Sequence, residues 1–124
     1  MDSPILRQHA LQPNNRRVLT TVTARGESAY PPCGDRLILE VLVQDGHIAQ
    51  IGFHGTLCAP LVALGSLLTT KLQGLPAEQL TTIGLSDLIG LLDGLPPSKR
   101  HTYLLFLDAL HQISQQSIKN KKEV

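Results

Sequence analysis

Apolar and polar residues alternate twice in the first half of the chain, which indicates two neighbouring strands. The odd positions of residues 37–43 are Leu, Leu, Val and Val, and those of residues 49–53 are Ala, Ile and Phe. A two-residue turn, DG, would place the two apolar rows on opposite faces of the hairpin. A three-residue loop, DGH, pairs Val43 with Ala49 and places both rows on one face. We therefore predict the three-residue loop.

The rest of the first half predicts a short helix and one more strand. Residues 4–12 form a short amphipathic pattern that Pro13 ends. Residues 18–30 are rich in Thr and Val and predict a strand, with a break at Gly26 as one interpretation. Two prolines then end the pairing.

The second half of the chain has a helical period. Leucines recur every three or four residues after Cys58, which places this cysteine at the N-terminus of a helix that ends before Gly74. The stretches PAEQL and GLSDLIGLLDG predict two short helices, the second starting near Ser86. Ser98 can cap a last helix that has His101 in its first turn. The predicted apolar stripe of that helix is Leu104, Leu107, Leu110 and His111.

This order of elements predicts an α+β fold, a three-stranded antiparallel sheet with helices packed on one face. At 124 residues the chain has the length of a single domain, residues 1–124. The polar tail, residues 117–124, is expected to fray.

Composition excludes several classes of function. The net charge is +1 and aromatic residues make up 3% of the chain, so there is neither the field nor the stacking surface that nucleic acids require. The N-terminus lacks the apolar region of a signal peptide, and no apolar run is long enough to span a membrane. We expect a soluble, cytoplasmic protein, in which a structural disulfide is not expected.

Residues with metal and thiol chemistry fall at three element ends. Cys33 and Asp35 precede a strand, while Cys58 and His101 each lie at a helix start. Two thiolates, a carboxylate and an imidazole are enough donors for one tetrahedral zinc or iron site. The free N–H groups of a helix N-terminus also favour the thiolate of Cys58 as a nucleophile. Burial as a small apolar residue is the remaining alternative for each cysteine.

The motifs PPCGD and FHGTLCA, followed by LPPSKRH, resemble those of the U-type iron–sulfur cluster assembly scaffolds, the family of IscU, SufU and the N-terminal domain of NifU. The N-terminal stretch RQHALQPNNRRVL is similar to that family as well, so the resemblance covers nearly the whole chain. The distance from Cys58 to LPPSKRH leaves no room for the insertion typical of SufU, so the layout is closer to IscU. The resemblance implies the IscU/NifU-like fold.

The resemblance also implies roles for individual residues and partners. It makes Cys33 and Cys58 ligands of zinc, iron or a transient [2Fe–2S] cluster, His101 an alternative ligand, and Asp35 the residue that keeps the cluster labile. Its implied partners are a cysteine desulfurase, apo iron–sulfur proteins and an Hsp70-type chaperone. The chaperone would bind the proline segment, which comprises Leu95, Pro96, Pro97, Ser98 and Lys99.

One position departs from the family pattern. Thr102 stands where the family has its third cysteine, and a neutral hydroxyl can neither replace a thiolate on a soft metal nor carry a persulfide. A cluster would then need the mixed set of Cys33, Asp35, Cys58 and His101, or the two cysteines of each chain in a homodimer.

Three functions are compatible with these observations, and we do not expect an enzyme in the turnover sense. The first is a scaffold or carrier of iron, zinc or a nascent cluster. The second is a degenerate scaffold paralogue, with or without zinc, that regulates the assembly machinery through protein contacts. The third is a sulfur carrier with a persulfide on Cys58.

Overall fold

The computed structural model describes residues 4–91 and 100–116. Within them lie four α-helices and three strands. They are α1 (Pro4–Leu11), β1 (Ala24–Tyr30), β2 (Asp35–Gln44), β3 (His47–Thr56), α2 (Ala59–Leu72), α3 (Leu85–Leu91) and α4 (His101–Ser114). Two short 3₁₀ turns occupy Pro31–Cys33 and Ala77–Thr81. The predicted frayed tail, the Ser98 cap and the proline segment lie outside the described residues.

The three strands form one antiparallel sheet in the order β1-β2-β3, as predicted. Both apolar rows share one face, but the predicted three-residue loop is wrong. Gln44 pairs with His47 across a two-residue turn, in which Asp45 and Gly46 both have positive φ (54° and 76°), the geometry of a type I′ turn. A bulge then skips Ala49, so that Val43 pairs with Ile48 instead. The extra residue returns the apolar row of β3 to the core face.

The apolar face of the sheet is covered by α2 and α4, as the fold class predicted. Gly26 and Phe53 both pair across β2 with Leu39 and so share this face. A Cβ built on Gly26 would lie 2.9 Å from Cα of Ala109 in α4. One built on Gly65 of α2 would lie 2.6 Å from the ring of Phe53. Gly26 therefore marks a close approach of helix and strand and does not break β1.

Residues 13–23, which we call the covering segment, run from the outer edge of β3 onto part of the second face of the sheet. Sequence pattern predicted a strand from residue 18, but β1 begins only at Ala24. At the edge of β3 the N–H of Arg17 donates to the carbonyl of Phe53 at 3.0 Å. On the face of the sheet the N–H of Leu19 donates to the carboxylate of Glu40 at 3.1 Å. Glu40 is buried, with a side-chain contact to His54 at 3.2 Å. The covering segment thus hides the one acidic residue in the middle of β2.

The two long helices differ in how well their buried faces were predicted. The leucine stripe of α2 is buried, and so is the opposite side, because α1 packs there through a 2.6 Å hydrogen bond between His9 and Ser66. Only half of the predicted stripe of α4 is confirmed: Leu110 is buried and Leu107 is half-buried, but Leu104 is 58% exposed and His111 is exposed. Its buried residues are Thr102, Tyr103, Leu105, Phe106, Ala109, Leu110 and Ile113.

Two glutamines at the C-terminal end of α4 close part of the outer edge of β1. The amide of Gln112 accepts from the N–H of Glu27 at 2.9 Å and donates to its carbonyl at 2.6 Å. Gln116, two residues beyond the helix, binds Arg25 in the same way at 3.1 and 2.6 Å. Side-chain amides thus satisfy main-chain groups that an edge strand normally leaves open.

None of the helices in the described part of the chain is long and apolar enough to cross a membrane.

Candidate metal centre

The loop between β1 and β2 presents Cys33 to solvent. Tyr30 and Asp35 face each other as the last pair of the two strands, and Pro31–Cys33 forms a 3₁₀ turn between them. The prolines fix φ at the first turn positions. Gly34 has a φ of 70° and donates its N–H to the carbonyl of Pro31 at 3.0 Å. The left-handed glycine lets the chain turn sharply enough to leave the Cys33 thiol on the outside.

Asp35 joins the starts of two helices to the start of β2. It is only 3% exposed, although it carries a carboxylate. One oxygen, Oδ1, accepts a hydrogen bond of 3.1 Å from the backbone N–H of Cys58. Cys58 is the residue directly before α2. The other, Oδ2, lies 3.1 Å from Nε2 of His101, the first residue of α4. Buried carboxylates are found where such partners compensate for lost hydration.

The imidazole of His101 is held on a second side by an aromatic ring. Its centroid lies 4.2 Å from that of Tyr30, with an angle of 18° between the ring planes. The side chain of His101 is 10% exposed. Stacking and the contact to Asp35 together fix both the plane of the imidazole and the direction of one ring nitrogen.

Three of the four predicted ligands meet at this end of the sheet. Candidate ligand atoms of Cys33, Asp35 and His101 all lie within 4.8 Å of one another. We call these three residues the donor group. The thiol of Cys58 is half-buried and lies outside the group, although its main chain contacts Asp35. A thiolate, a carboxylate and an imidazole suit zinc or ferrous iron, and they leave one position of a tetrahedral ion for a further ligand.

Thr102 lies next to His101 but turns into the protein. It is fully buried, and its hydroxyl has no hydrogen-bond partner among the described residues. A buried hydroxyl without a partner costs about 1–3 kcal/mol of desolvation free energy. The hydroxyl of Thr102 therefore points away from the donor group.

Replacing Thr102 by valine is expected to stabilise the protein by about 1 kcal/mol, because the isosteric side chain removes an unpaired hydroxyl. Equilibrium urea unfolding measures the change. The matched control is Thr69→Val, since Thr69 is equally buried but its hydroxyl donates to the carbonyl of Gly65 at 2.7 Å and accepts from Asn15 at 3.0 Å. That variant is expected to lose stability. Equal losses in both variants would contradict the assignment of Thr102.

One feature of the site was missed from sequence, the stack of Tyr30 on His101. Tyr30 was assigned only to the end of a strand. The chain has two Tyr and two Phe residues, and one of these four rings directly precedes PPCGD. The position of Tyr30 near the candidate ligand Cys33 was the signal in the sequence for a role at the site. That Tyr30 contacts His101 is apparent only in the fold.

The family of the chain follows from a match over almost its full length. Residues 3–123 match the family model described as NifU-like N terminal domain. The chain belongs to this family. The resemblance seen in its cysteine motifs is therefore confirmed at the level of the family.

Sequence relatives of this NifU-like domain include named scaffolds. It is 31% identical over 105 residues to the iron–sulfur cluster assembly scaffold protein IscU of Aquifex aeolicus, covering 83% of this chain and 67% of the relative. It is 30% identical over 104 residues to IscU 1 of Archaeoglobus fulgidus, covering 84% and 68%. Against the bifunctional protein NifU/MnmA of Rubrobacter xylanophilus the identity is 30%, and the match spans 88% of this chain and 23% of that protein.

Solved structures support the fold. A scaffold protein described for the SUF system of Fervidobacterium islandicum superposes with a TM-score of 0.71 at 16% identity, covering 91% of this chain and 96% of that one. The N-terminal NifU-like protein of Brucella abortus gives 0.70 at 14% identity, covering 96% and 94%. The predicted IscU/NifU-like fold is confirmed.

Proposed function

We propose that this NifU-like domain is a scaffold or carrier in iron–sulfur cluster assembly that receives iron, or zinc in its place, at the donor group. The observation that carries the proposal is the convergence of Cys33, Asp35 and His101 within 4.8 Å. Sequence relatives named as cluster assembly scaffolds support the same role. The metal or cluster is the cargo of such a protein and is passed on to an apo-protein.

The donor set fits a single ion better than a complete cluster. A [2Fe–2S] cluster takes four protein ligands, most often thiolates. The donor group offers three, and Thr102 adds none. The fourth ligand of a nascent cluster would be Cys58 after a shift of its thiol, or a thiolate from a second chain. Iron binding by the donor group would therefore precede cluster formation.

The partners that this role requires are a cysteine desulfurase as the source of sulfur and apo iron–sulfur proteins as recipients. An Hsp70-type chaperone is proposed for the proline segment of Leu95, Pro96, Pro97, Ser98 and Lys99. These residues lie outside the described part of the chain, so the proposal rests on sequence alone.

Anaerobic reconstitution with iron and sulfide tests the function. We expect iron bound to the wild-type chain and lost in Cys33→Ser, with acid-labile sulfide present if a cluster forms. His111→Ala is the control, because His111 is an exposed imidazole in the last turn of α4. It should bind as much iron as the wild type. Equal binding by wild type and Cys33→Ser would contradict the proposal.

The second candidate function is a degenerate scaffold paralogue, with or without zinc, that regulates the assembly machinery through protein contacts. The burial of Thr102, with no thiolate in its place, favours it. In that case no iron and no cluster are held by the wild-type chain, whether or not zinc is bound, and in a metal-free module binding to a desulfurase is unchanged by Cys33→Ser and Cys58→Ser. A third outcome, a mass gain of one sulfur on Cys58 after exposure to desulfurase and cysteine, would instead identify a sulfur carrier.

A further inference from the structure

The position of Tyr30 suggests a role at the donor group in addition to its place in β1. As the last residue of β1 it pairs with Asp35, so the two residues stand side by side at the end of the sheet. Both contact His101, Asp35 through its carboxylate and Tyr30 through the face of its ring. One contact is made at a ring nitrogen and the other on the face of the imidazole, so the ring has little freedom to rotate.

His101 needs such support because of its place in α4. It is the first residue of the helix, preceded by Arg100 as the N-cap, which forms no side-chain capping hydrogen bond. Helix ends fray, and a side chain in the first turn is poorly restrained by the helix itself. A ligand that is free to rotate loses conformational entropy when it binds a metal, which lowers affinity.

We infer that Tyr30 is a positioning residue that holds the imidazole of His101 in the orientation in which it can ligate a metal ion with Cys33 and Asp35. This inference rests on the proposed function. Tyr30 acts through its aromatic face, and its hydroxyl is not required. Stacked aromatic rings attract each other beyond the effect of the apolar area they bury.

Two substitutions distinguish the effect of the aromatic ring from that of the hydroxyl and from that of apolar bulk. Tyr30→Phe keeps the stacked ring, whereas Tyr30→Leu keeps an apolar side chain without one. Affinity for Zn²⁺, measured by competition with a chromophoric chelator, should stay within about twofold of wild type in Tyr30→Phe. It should fall about tenfold in Tyr30→Leu, the lower end of the range for losing a group that orients a metal ligand.

A double-mutant cycle excludes a general effect on folding. In a chain that carries His101→Ala, the further change Tyr30→Leu should alter the Zn²⁺ affinity by less than about twofold, because Tyr30 then has no imidazole to orient. A loss of tenfold in that background would overturn the inference, since Tyr30 would then act on the loop or on the other ligands. Wild-type affinity in Tyr30→Leu alone would overturn it as well.

The metal-free protein gives an independent readout. The ring protons of His101 should show an upfield ring-current shift in the NMR spectra of wild type and Tyr30→Phe, and this shift should be lost in Tyr30→Leu. Equal His101 shifts in all three proteins would contradict the stacking. If wild type binds neither Zn²⁺ nor Fe²⁺, the proposed function fails together with the role of Tyr30. If wild type binds and Tyr30→Leu binds equally well, only the role of Tyr30 fails.

Discussion

Alanine at position 26 is expected to lower the free energy of unfolding by about 3 kcal/mol, the upper part of the usual range for overpacking a core. The new Cβ would collide with the carbonyl oxygen and lie 2.9 Å from Cα of Ala109. These are main-chain atoms of α4, so no side-chain rotation can relieve the contact. The helix would have to move away from β1, and His101 at its N-terminus would move with it. Urea unfolding followed by circular dichroism measures the loss.

The same substitution at Gly90 is the control. Gly90 lies in α3, and among the described residues outside its own stretch of helix no atom comes within 4 Å of a Cβ built there. Alanine is the better helix former, so Gly90→Ala should leave stability unchanged or raise it by up to about 1 kcal/mol. A Gly26→Ala protein as stable as Gly90→Ala would mean that α4 does not approach β1 as closely as described.

Asparagine in place of Asp35 is expected to weaken Zn²⁺ binding by about 100-fold or more, beyond the range for losing an outer-sphere partner of a metal ligand. The amide oxygen can still accept the N–H of Cys58, and the amide nitrogen can donate to Nε2 of His101. The fold should therefore survive. What is lost is the anionic oxygen, and a site with three donors cannot spare one. Chelator competition gives the affinity, and circular dichroism checks the fold.

Glu27→Gln is the matched control for Asp35→Asn. Glu27 is an exposed carboxylate on β1, 3.2 Å from Arg36 and outside the donor group. Its neutral amide should bind Zn²⁺ as tightly as wild type does. Wild-type affinity in Asp35→Asn would show that the carboxylate is not a ligand and serves only to anchor the two helices.

The sheet was largely predictable from sequence because alternation in a half-buried strand has a fixed period of two. The requirement that both apolar rows face the core is met by the structure. The means of meeting it was not predictable, since a two-residue turn with a bulge at Ala49 and a three-residue loop satisfy the same pattern. Turn chemistry favoured DG as a two-residue turn, and the bulge that reconciles it with the pattern has no clear sequence signal.

The buried face of α4 was not predictable for a different reason. Apolar residues occupy most positions of TYLLFLDAL, so several stripes fit the helical period equally well. Leu104 belongs to one of them and is exposed, while Ala109 is buried because β1 has a glycine opposite it. Which face of α4 is buried depends on the shape of the sheet surface it packs against. The sequence of the helix alone does not give that shape.

The sequence predicted each residue of the donor group as a candidate ligand. It did not predict which of the four candidates would lie close together. Sequence placed Cys33, Asp35, Cys58 and His101 at element ends without showing that they converge. In the structure Cys58 contributes its main-chain N–H to Asp35, and its thiol stays outside the group. Distances between side chains of separate elements depend on how α2 and α4 pack on the sheet. The pattern of a single sequence does not give that packing.

The two glutamine amides on β1 restrict how another protein can approach the domain. A peptide that adds itself to a sheet needs open N–H and C=O groups along an edge strand. At Arg25 and Glu27 those groups are already bonded to Gln116 and Gln112. An incoming strand would first have to break four hydrogen bonds at this stretch of β1. Binding of a partner by main-chain pairing is therefore disfavoured at this stretch of β1, and a partner that binds here would contact side chains instead.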